Sequence, residues 1–372
     1  MEHVTDAESN EPKSRKLTRS RVGLWFLAVA VLGTVALSFV PAPFVVESPG
    51  PVYNTLGTAA DANGKQVPLI TVSGAPTYPT KGDLSMLTVW ASGSPGDNPS
   101  WLDIIGGWFR PDVAIVPMEA IYPSGTTRTD SEKAGQVQMD TSKQEAIAAA
   151  FKQLGIAYTS KVQVADVTKG YPAADVLKAG DVIDTADGTA VHDVSELRDV
   201  IKRVGIGHSI SLTITRGTTD LTVSAPVVAS KQDGKTPVIG ILCGGVYDFP
   251  FTVDIQIDNV GGPSAGMMFA LGIIDTLTPG ELNGGKNIAG TGEITANGTV
   301  GPIGGIVQKA YAARGSGADW MLVPAANCAD LVGHVPSGLR EIRVTTLTGA
   351  LAAVKRIASG TNTDSLPSCS TP

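Results

Sequence analysis

The chain has 372 residues, 42% hydrophobic and 17% charged, with a formal net charge of −7. That length suits two to three domains of roughly 150 residues each, and the composition excludes a disordered chain. The acidic balance sets aside a nucleic-acid partner, which asks for a basic face. Three scattered cysteines exclude a disulfide framework or zinc knuckle, and four histidines without an HExxH pattern set aside a metallopeptidase. No metal and no cofactor are expected.

In chain order, residues 1–12 are polar, and Lys13, Arg15, Lys16, Arg19 and Arg21 then form a basic cluster. Residues 22–40 (VGLWFLAVAVLGTVALSFV) carry no charge. As a helix they reach about 28 Å, close to the roughly 30 Å hydrocarbon core. Pro41 and Pro43 end the run. The sequence predicts a single transmembrane helix over 22–40, embedded in the lipid bilayer, with the basic tail 1–21 cytoplasmic and everything after it extracytoplasmic. A cleaved signal peptide would have a shorter apolar run and a small-residue exit; a buried core helix rarely lacks all charge for this length. Both remain alternatives.

Residues 41–141 are broken by Pro and Gly and read as a β-rich region, with strands at 69–72 and 84–90 and a short amphipathic helix at 101–109. Trp101, Trp108 and Phe109 suit a bilayer surface or ordinary packing equally. Nothing chemical stands out here. Residues 142–154 read as a helix: Ser142 with Glu145 three residues on makes a capping box, Ile147, Ala150, Phe151 and Leu154 share a face, and Gly155 stops it.

Residues 161–228 read strand, turn, strand, helix, strand, strand. Leu177-Lys178-Ala179-Gly180-Asp181-Val182-Ile183, then Asp187-Gly188, then a helix over 193–204, resembles a bacterial PDZ domain, taken with the preceding helix as 142–230. The resemblance implies capture of a peptide ligand as an added strand, its end held by backbone amides. The groove is expected between a strand near 156–164 and the helix face bearing Leu197, Val200 and Ile201, with Leu154-Gly155-Ile156 as the carboxylate loop. The same apolar residues read equally well as core.

Residues 252–257 (TVDIQI) alternate like a half-buried strand. Asp258-Asn259-Val260-Gly261-Gly262-Pro263-Ser264-Ala265-Gly266 then turns into an apolar helix over 267–277, with Pro263 at its first position. Glycines admit a substrate backbone. Free amides around Gly261, Gly262 and Ala265 can receive an oxyanion. Ser264 is therefore a candidate nucleophile, although serine is also a common helix cap. A second segment runs from Thr291-Gly292-Glu293-Ile294 through a turn at Asn297-Gly298 to Val300-Gly301-Pro302-Ile303-Gly304-Gly305-Ile306-Val307-Gln308-Lys309-Ala310. On its helix Ile303, Ile306, Ala310 and Ala313 form the buried stripe. Lys309 lies about 60° from Ile306, at the stripe's border. A partly desolvated lysine there loses its proton more readily and can serve as a general base; a lysine snorkelling to water fits the spacing too.

Together, GGPSAG followed by TGEI and VGPIGGIVQKA resembles the proteolytic domain of Lon-type peptidases, over 236–357. The resemblance implies a Ser–Lys dyad, with Ser264 as nucleophile, Lys309 as general base and Thr291 positioning them. The family carries an acidic residue where Gly261 stands, which leaves a local carboxylate role there in doubt. With the anchor and the PDZ-like stretch, the chain resembles the membrane-anchored PDZ–Lon peptidases of bacteria, the YlbL family, least clearly over 48–140. The expected fold class is an α+β multidomain chain: one N-terminal transmembrane helix, a PDZ domain, a C-terminal Lon-type proteolytic domain and a flexible tail over 358–372.

The resemblance further implies a serine endopeptidase acting on polypeptide substrates, and a homo-oligomer, a hexamer by family analogy. Gly280-Glu281-Leu282-Asn283-Gly284-Gly285-Lys286-Asn287 approximates a phosphate loop but ends in Asn where Ser or Thr should hold magnesium, and it reads as a turn. Proteolysis is therefore expected to be ATP-independent. Two rivals stay open: a GxSxG hydrolase pairing Ser264 with His334 and Asp330 or Asp319, and a tethered PDZ adaptor with a silent peptidase domain. Cys243, Cys328 and Cys369 are expected as thiols, with a Cys243–Cys328 bridge as the alternative.

Overall fold

The computed structural model describes residues 19–60, 64–122, 125–231, 233–258 and 260–369. Residues 1–12, the basic residues Lys13, Arg15 and Lys16, and Asn259 lie outside the described residues.

The uncharged segment forms helix α1 (Arg19–Phe39). Its span Val22–Phe39 has mean hydropathy 2.2 and none of it is buried in the protein. A helix apolar on every side is out of place in water. Its length and composition suit a membrane anchor and a signal sequence alike.

Beyond it come β1 (Phe44–Asn54), β2 (Ile70–Ser73), β3 (Asp83–Ser92), α2 (Trp101–Trp108), β4 (Ala114–Pro117) and the long helix α3 (Arg128–Leu154). There follow β5 (Thr159–Val167), β6 (Val182–Ala186), α4 (Val194–Val204), β7 (Ser209–Arg216), β8 (Thr219–Pro226), β9 (Ile241–Asp248) and β10 (Thr252–Ile255). The last part holds α5 (Gly266–Leu277), β11 (Asn287–Gly290), β12 (Glu293–Ile294), β13 (Val300–Gly301), α6 (Ile306–Gly315), β14 (Trp320–Pro324), β15 (Arg340–Val344) and α7 (Leu347–Ser359).

One mixed sheet has the order β15-β14-β11-β3-β1-β4. Side chains alternate across it, as the two-residue strand period requires. Leu84, Met86, Ile288, Leu322 and Ile342 face a core shared with α3, α5 and α7. Leu87, Ala289, Met321 and Val323 face the opposite core, built on α6. Here the structure departs from the sequence reading, which set 41–141 apart: β3 pairs in parallel with β11, Leu84 opposite Ile288. A strand pair so distant in the chain leaves no local signature. Trp101 packs edge-on against Phe44, whereas Trp108 and Phe109 are exposed.

The helix expected over 142–154 begins at Arg128 instead. Thr127 is its N-cap and forms the capping box with Asp130, and Gly155, in the left-handed region, ends it. Ser142 and Glu145 sit buried in its interior, so the capping pattern read there was met by a better one farther upstream.

The second sheet, β8-β7-β6-β5-β9, is antiparallel, with α4 packed over its apolar face. The Gly180-Asp181 turn is fixed by Asp181, which accepts a two-pronged bond from Arg216 and the Lys178 amide. The Arg216 bonds hold that buried carboxyl below the usual carboxylate range. As far as Cys369 the C-terminal segment is not loose as expected, and residues 370–372 of that tail lie outside the described residues. Leu366 is buried in the first core, and Cys369 is disulfide-bonded to Cys328, while Cys243 remains a thiol. The expectation of thiols is thereby corrected for Cys328 and Cys369 and met by Cys243, and the alternative Cys243–Cys328 bridge is not formed; spacing alone held no information on the pairing.

Candidate active site

Strand β10 leads into the turn that carries Ser264. Gly262 stands at φ +88°, a conformation that side chains resist. Helix α3 grips one side of the turn. The Gly262 amide donates to the Gly135 carbonyl at 2.9 Å, and Ser142 Oγ donates to the Pro263 carbonyl at 2.9 Å. On the other side, the Ser264 carbonyl accepts from the Gly292 amide at 2.8 Å and from Thr291 Oγ1 at 3.0 Å. Helix α5 starts only at Gly266, past the expected Pro263.

Lys309 lies in the first turn of α6 and is 3% exposed, so its ammonium does not reach water. Its Nζ stands 2.8 Å from Ser264 Oγ and 3.1 Å from Thr291 Oγ1. Thr291 is fully buried and bonds both Lys309 and the Ser264 carbonyl. Burial pulls the Lys309 pKa down to about 8, with Glu47 and Glu293 opposing that fall. Burial in turn raises both carboxyls; Lys309 works against this at Glu47, and Arg198 and Lys309 do so at Glu293. A cavity of about 430 Å³ opens on Ser264, Lys309, Glu47 and Glu293, walled partly by Trp90 and Met139.

The structure thus brings Ser264, Thr291 and Lys309 together. Of the expected oxyanion donors, the Gly262 amide is spent on Gly135, and Gly261 is exposed. The amides of Ser264 and Ala265 have no hydrogen-bond partner among the described residues. His334 is exposed, and the side chain bonded to Ser264 Oγ is Lys309.

The expected PDZ groove is placed differently. Leu154 and Ile156 pack against the first core, and Gly155 caps α3, so they form no carboxylate loop. Leu197, Val200 and Ile201 are buried in the second core, where Leu197 and Ile201 also line a cavity of about 390 Å³. The sheet edge beside them, on β5, is already taken by β9.

Sequence reasoning missed Glu47, Gly135 and the roles of Ser142 and Glu145. Ser142 had left a signal: with Met139, Ala146 and Ala149 it shares one helical stripe, which made it the polar exception on a buried face. Glu47 left only its charge inside an apolar strand.

Residues 259–358 match the family model of the Lon protease (S16) C-terminal proteolytic domain. Residues 136–227 match that of the PDZ domain. This chain carries a Lon-type proteolytic domain and a PDZ domain. Lon protease 1 of Sorangium cellulosum is 43% identical over 101 residues, 26% of this chain and 12% of that protein. Lon protease 2 of Bacillus subtilis is 36% identical over 102 residues, 26% of this chain and 18% of that protein. The chain thus spans under a fifth of the length of these curated relatives. Among solved structures, the PDZ domain of the SdrC-like protein from Listeria monocytogenes is 34% identical, covering 22% of this chain and 85% of that one, at a TM-score of 0.21.

Proposed function

We propose that the chain is a membrane-anchored, ATP-independent serine endopeptidase that cleaves extracytoplasmic polypeptides with a Ser264–Lys309 dyad. The observation that carries this is a buried amine, pulled toward neutrality, 2.8 Å from a hydroxyl on a glycine-rich turn. In the neutral form Lys309 takes the Ser264 Oγ proton as the oxygen attacks a peptide carbonyl. The Ser264 and Ala265 amides receive the oxyanion. Lys309 returns the proton to the leaving amine, and then activates the water that releases the acyl group. Thr291 bonds the lysine and the serine backbone at once, which fixes the distance between them.

Nucleotide independence is supported by the 280–287 turn. Its Gly284, Gly285 and Lys286 amides bond Glu281 and Asn283 internally, so they form no phosphate cradle. The anchor reading rests on the exposed apolar helix α1 and on the basic residues before it. We divide the chain as a cytoplasmic tail, an anchor, and a peptidase unit built from 44–154 and 252–369, with the PDZ unit between. Peptide capture by that unit meets an edge already covered by β9.

Intact-mass analysis after a fluorophosphonate probe tests the dyad. The wild type should gain one adduct, and Ser264→Ala and Lys309→Ala none. Labelling that survives Ser264→Ala, or that depends on His334 rather than Lys309, would overturn it.

A further inference from the structure

Strand β9 lies along the free edge of β5 in eight antiparallel pairs, from Ile241 opposite Val167 to Asp248 opposite Thr159. Helix α4 packs over it, and Leu197, Ile201, Ile241 and Cys243 share one cavity. A strand between a sheet edge and a helix occupies the seat that a PDZ unit offers an extended peptide. Its last residues approach the start of β5, with Asp248 opposite Thr159.

Three observations separate β9 from a core strand. It falls outside both family matches, which cover 136–227 and 259–358. None of its residues is fully buried, whereas Ile210, Leu212 and Ile214 of β7 are. Leu242 and Val246 face water.

Through Glu145 the strand is also tied to the loop that follows Thr291. Its ring folded over Gly245, where a Cβ would lie 2.3 Å from the hydroxyl, Tyr247 donates to Glu145 Oε1 at 3.0 Å. Glu145 Oε2 accepts from the Ala296 amide, in the loop between β12 and β13 that follows Thr291 and Glu293. Ser142, on the same helix, holds the Pro263 carbonyl. Downstream, β9 continues through Phe249 and Phe251, which pack on Phe151 of α3, into β10 and the Ser264 turn.

We infer that residues 241–248 are the resident ligand of the PDZ groove, that an extended polypeptide reaches the groove only by displacing them, and that Glu145 is a positioning residue through which the docked strand keeps the dyad assembled. A peptide bound in the groove is then a regulator of cleavage, not the peptide being cleaved. The coupling to the dyad rests on the Ser264–Lys309 reading; the groove occupancy does not.

The test uses the full chain in nanodiscs. Hydrogen exchange should show residues 241–248 exchanging at least about tenfold faster than β7, because the strand opens without global unfolding. Exchange as slow as β7 would overturn the resident-ligand assignment. Lys161→Cys with Val246→Cys bridges directly opposed, exposed positions. Oxidised, this double variant should keep turnover within about twofold of wild type; loss of turnover would mean the docked strand is not the competent state. A fluorescent peptide of residues 241–248, with Ser for Cys243, should bind Tyr247→Phe at least about tenfold tighter than the oxidised double variant, since only the former can vacate the edge. Equal binding would overturn displacement. Tyr247→Phe and Glu145→Gln should each lower kcat about tenfold with KM within twofold, and Glu145→Asp should restore part of it. Unchanged kcat in both would remove the positioning role. If wild-type Ser264 fails to label at all, the dyad reading falls while the exchange and binding results still judge the groove.

Discussion

Around Ser264, separate groups each tie a different atom of one short turn: Lys309 the hydroxyl, Thr291 the Ser264 carbonyl, Ser142 the Pro263 carbonyl and Gly135 the Gly262 amide. Lys309, Thr291 and Ser142 are all buried. On the PDZ sheet, β9 is held chiefly by backbone pairing, with its side chains half in water. The first arrangement is preorganised, because its ties converge on one short turn and three of the side chains that make them are held away from water. The second is exchangeable, because water or another backbone can replace each bond. The same chain thus sets a rigid chemical centre beside a replaceable strand, and variants can break that contrast at either end.

The largest effect is expected at the rigid end. Ser264→Ala should lower kcat for a fluorogenic polypeptide by on the order of 10⁴-fold or more. Lys309→Arg should be equally inactive while staying folded, since guanidinium keeps its proton throughout the accessible pH range. Substantial turnover by Lys309→Arg would remove the general base from the mechanism.

A pH profile tests the same amine without mutation. Only the neutral form accepts the serine proton, and burial brings the Lys309 pKa down to about 8. The value of kcat/KM should therefore rise about tenfold per pH unit below about pH 8 and flatten above it. A flat profile from pH 6 to 9, with chemistry shown to limit the rate, would separate the lysine from the chemical step.

These two tests concern residues that the sequence already pointed to. Ser264 and Lys309 stood out as candidates because each sits in a short contiguous motif whose turn and helix chemistry is local, whereas the place of Thr291 beside them was implied only by the resemblance. The groove was not legible, because which strand covers β5 is decided by pairing 241–248 with 159–167 across an intervening sheet. Glu145 shows how the same letters mislead: the Ser142/Glu145 spacing satisfies a capping box, yet the helix runs on upstream to Thr127, and both side chains turn inward to hold other segments. The strands at 69–72 and 84–90 were legible, but the pairing of β3 with β11 was likewise hidden, since β11 is far away in the chain.

A smaller effect concerns stability. The folded pKa of Lys309 lies below its usual 10.5, so the folded state binds fewer protons and stability rises with pH between about 8 and 10.5. Below pH 8 the buried amine costs up to about 3 kcal/mol. Lys309→Met, which removes the charge and keeps the volume, should raise the Tm at pH 6 by more than at pH 9.5. Calorimetry at both values checks this, and a Tm gain that grows toward high pH would contradict a depressed lysine.

The smallest effect on turnover is expected at the Cys328–Cys369 disulfide, although it closes a loop with a sequence separation of 41. By chain entropy that closure is worth up to about 4 kcal/mol, so Cys369→Ser should lower the Tm by several degrees. Its route to the site is indirect. Cys328 follows Asn327, whose amide bonds both the Ile303 amide and the Ile303 carbonyl just before α6. Those two bonds survive loss of the disulfide, and Lys309 is held by its own burial and by Thr291. Turnover at 25 °C should therefore stay within about twofold of wild type. A tenfold drop in Cys369→Ser and in reduced wild type, reversed when the wild type is reoxidised and absent from Cys243→Ser, would show instead that the Cys328–Cys369 tie forms part of the dyad's support, and that the rigid region extends to Cys369.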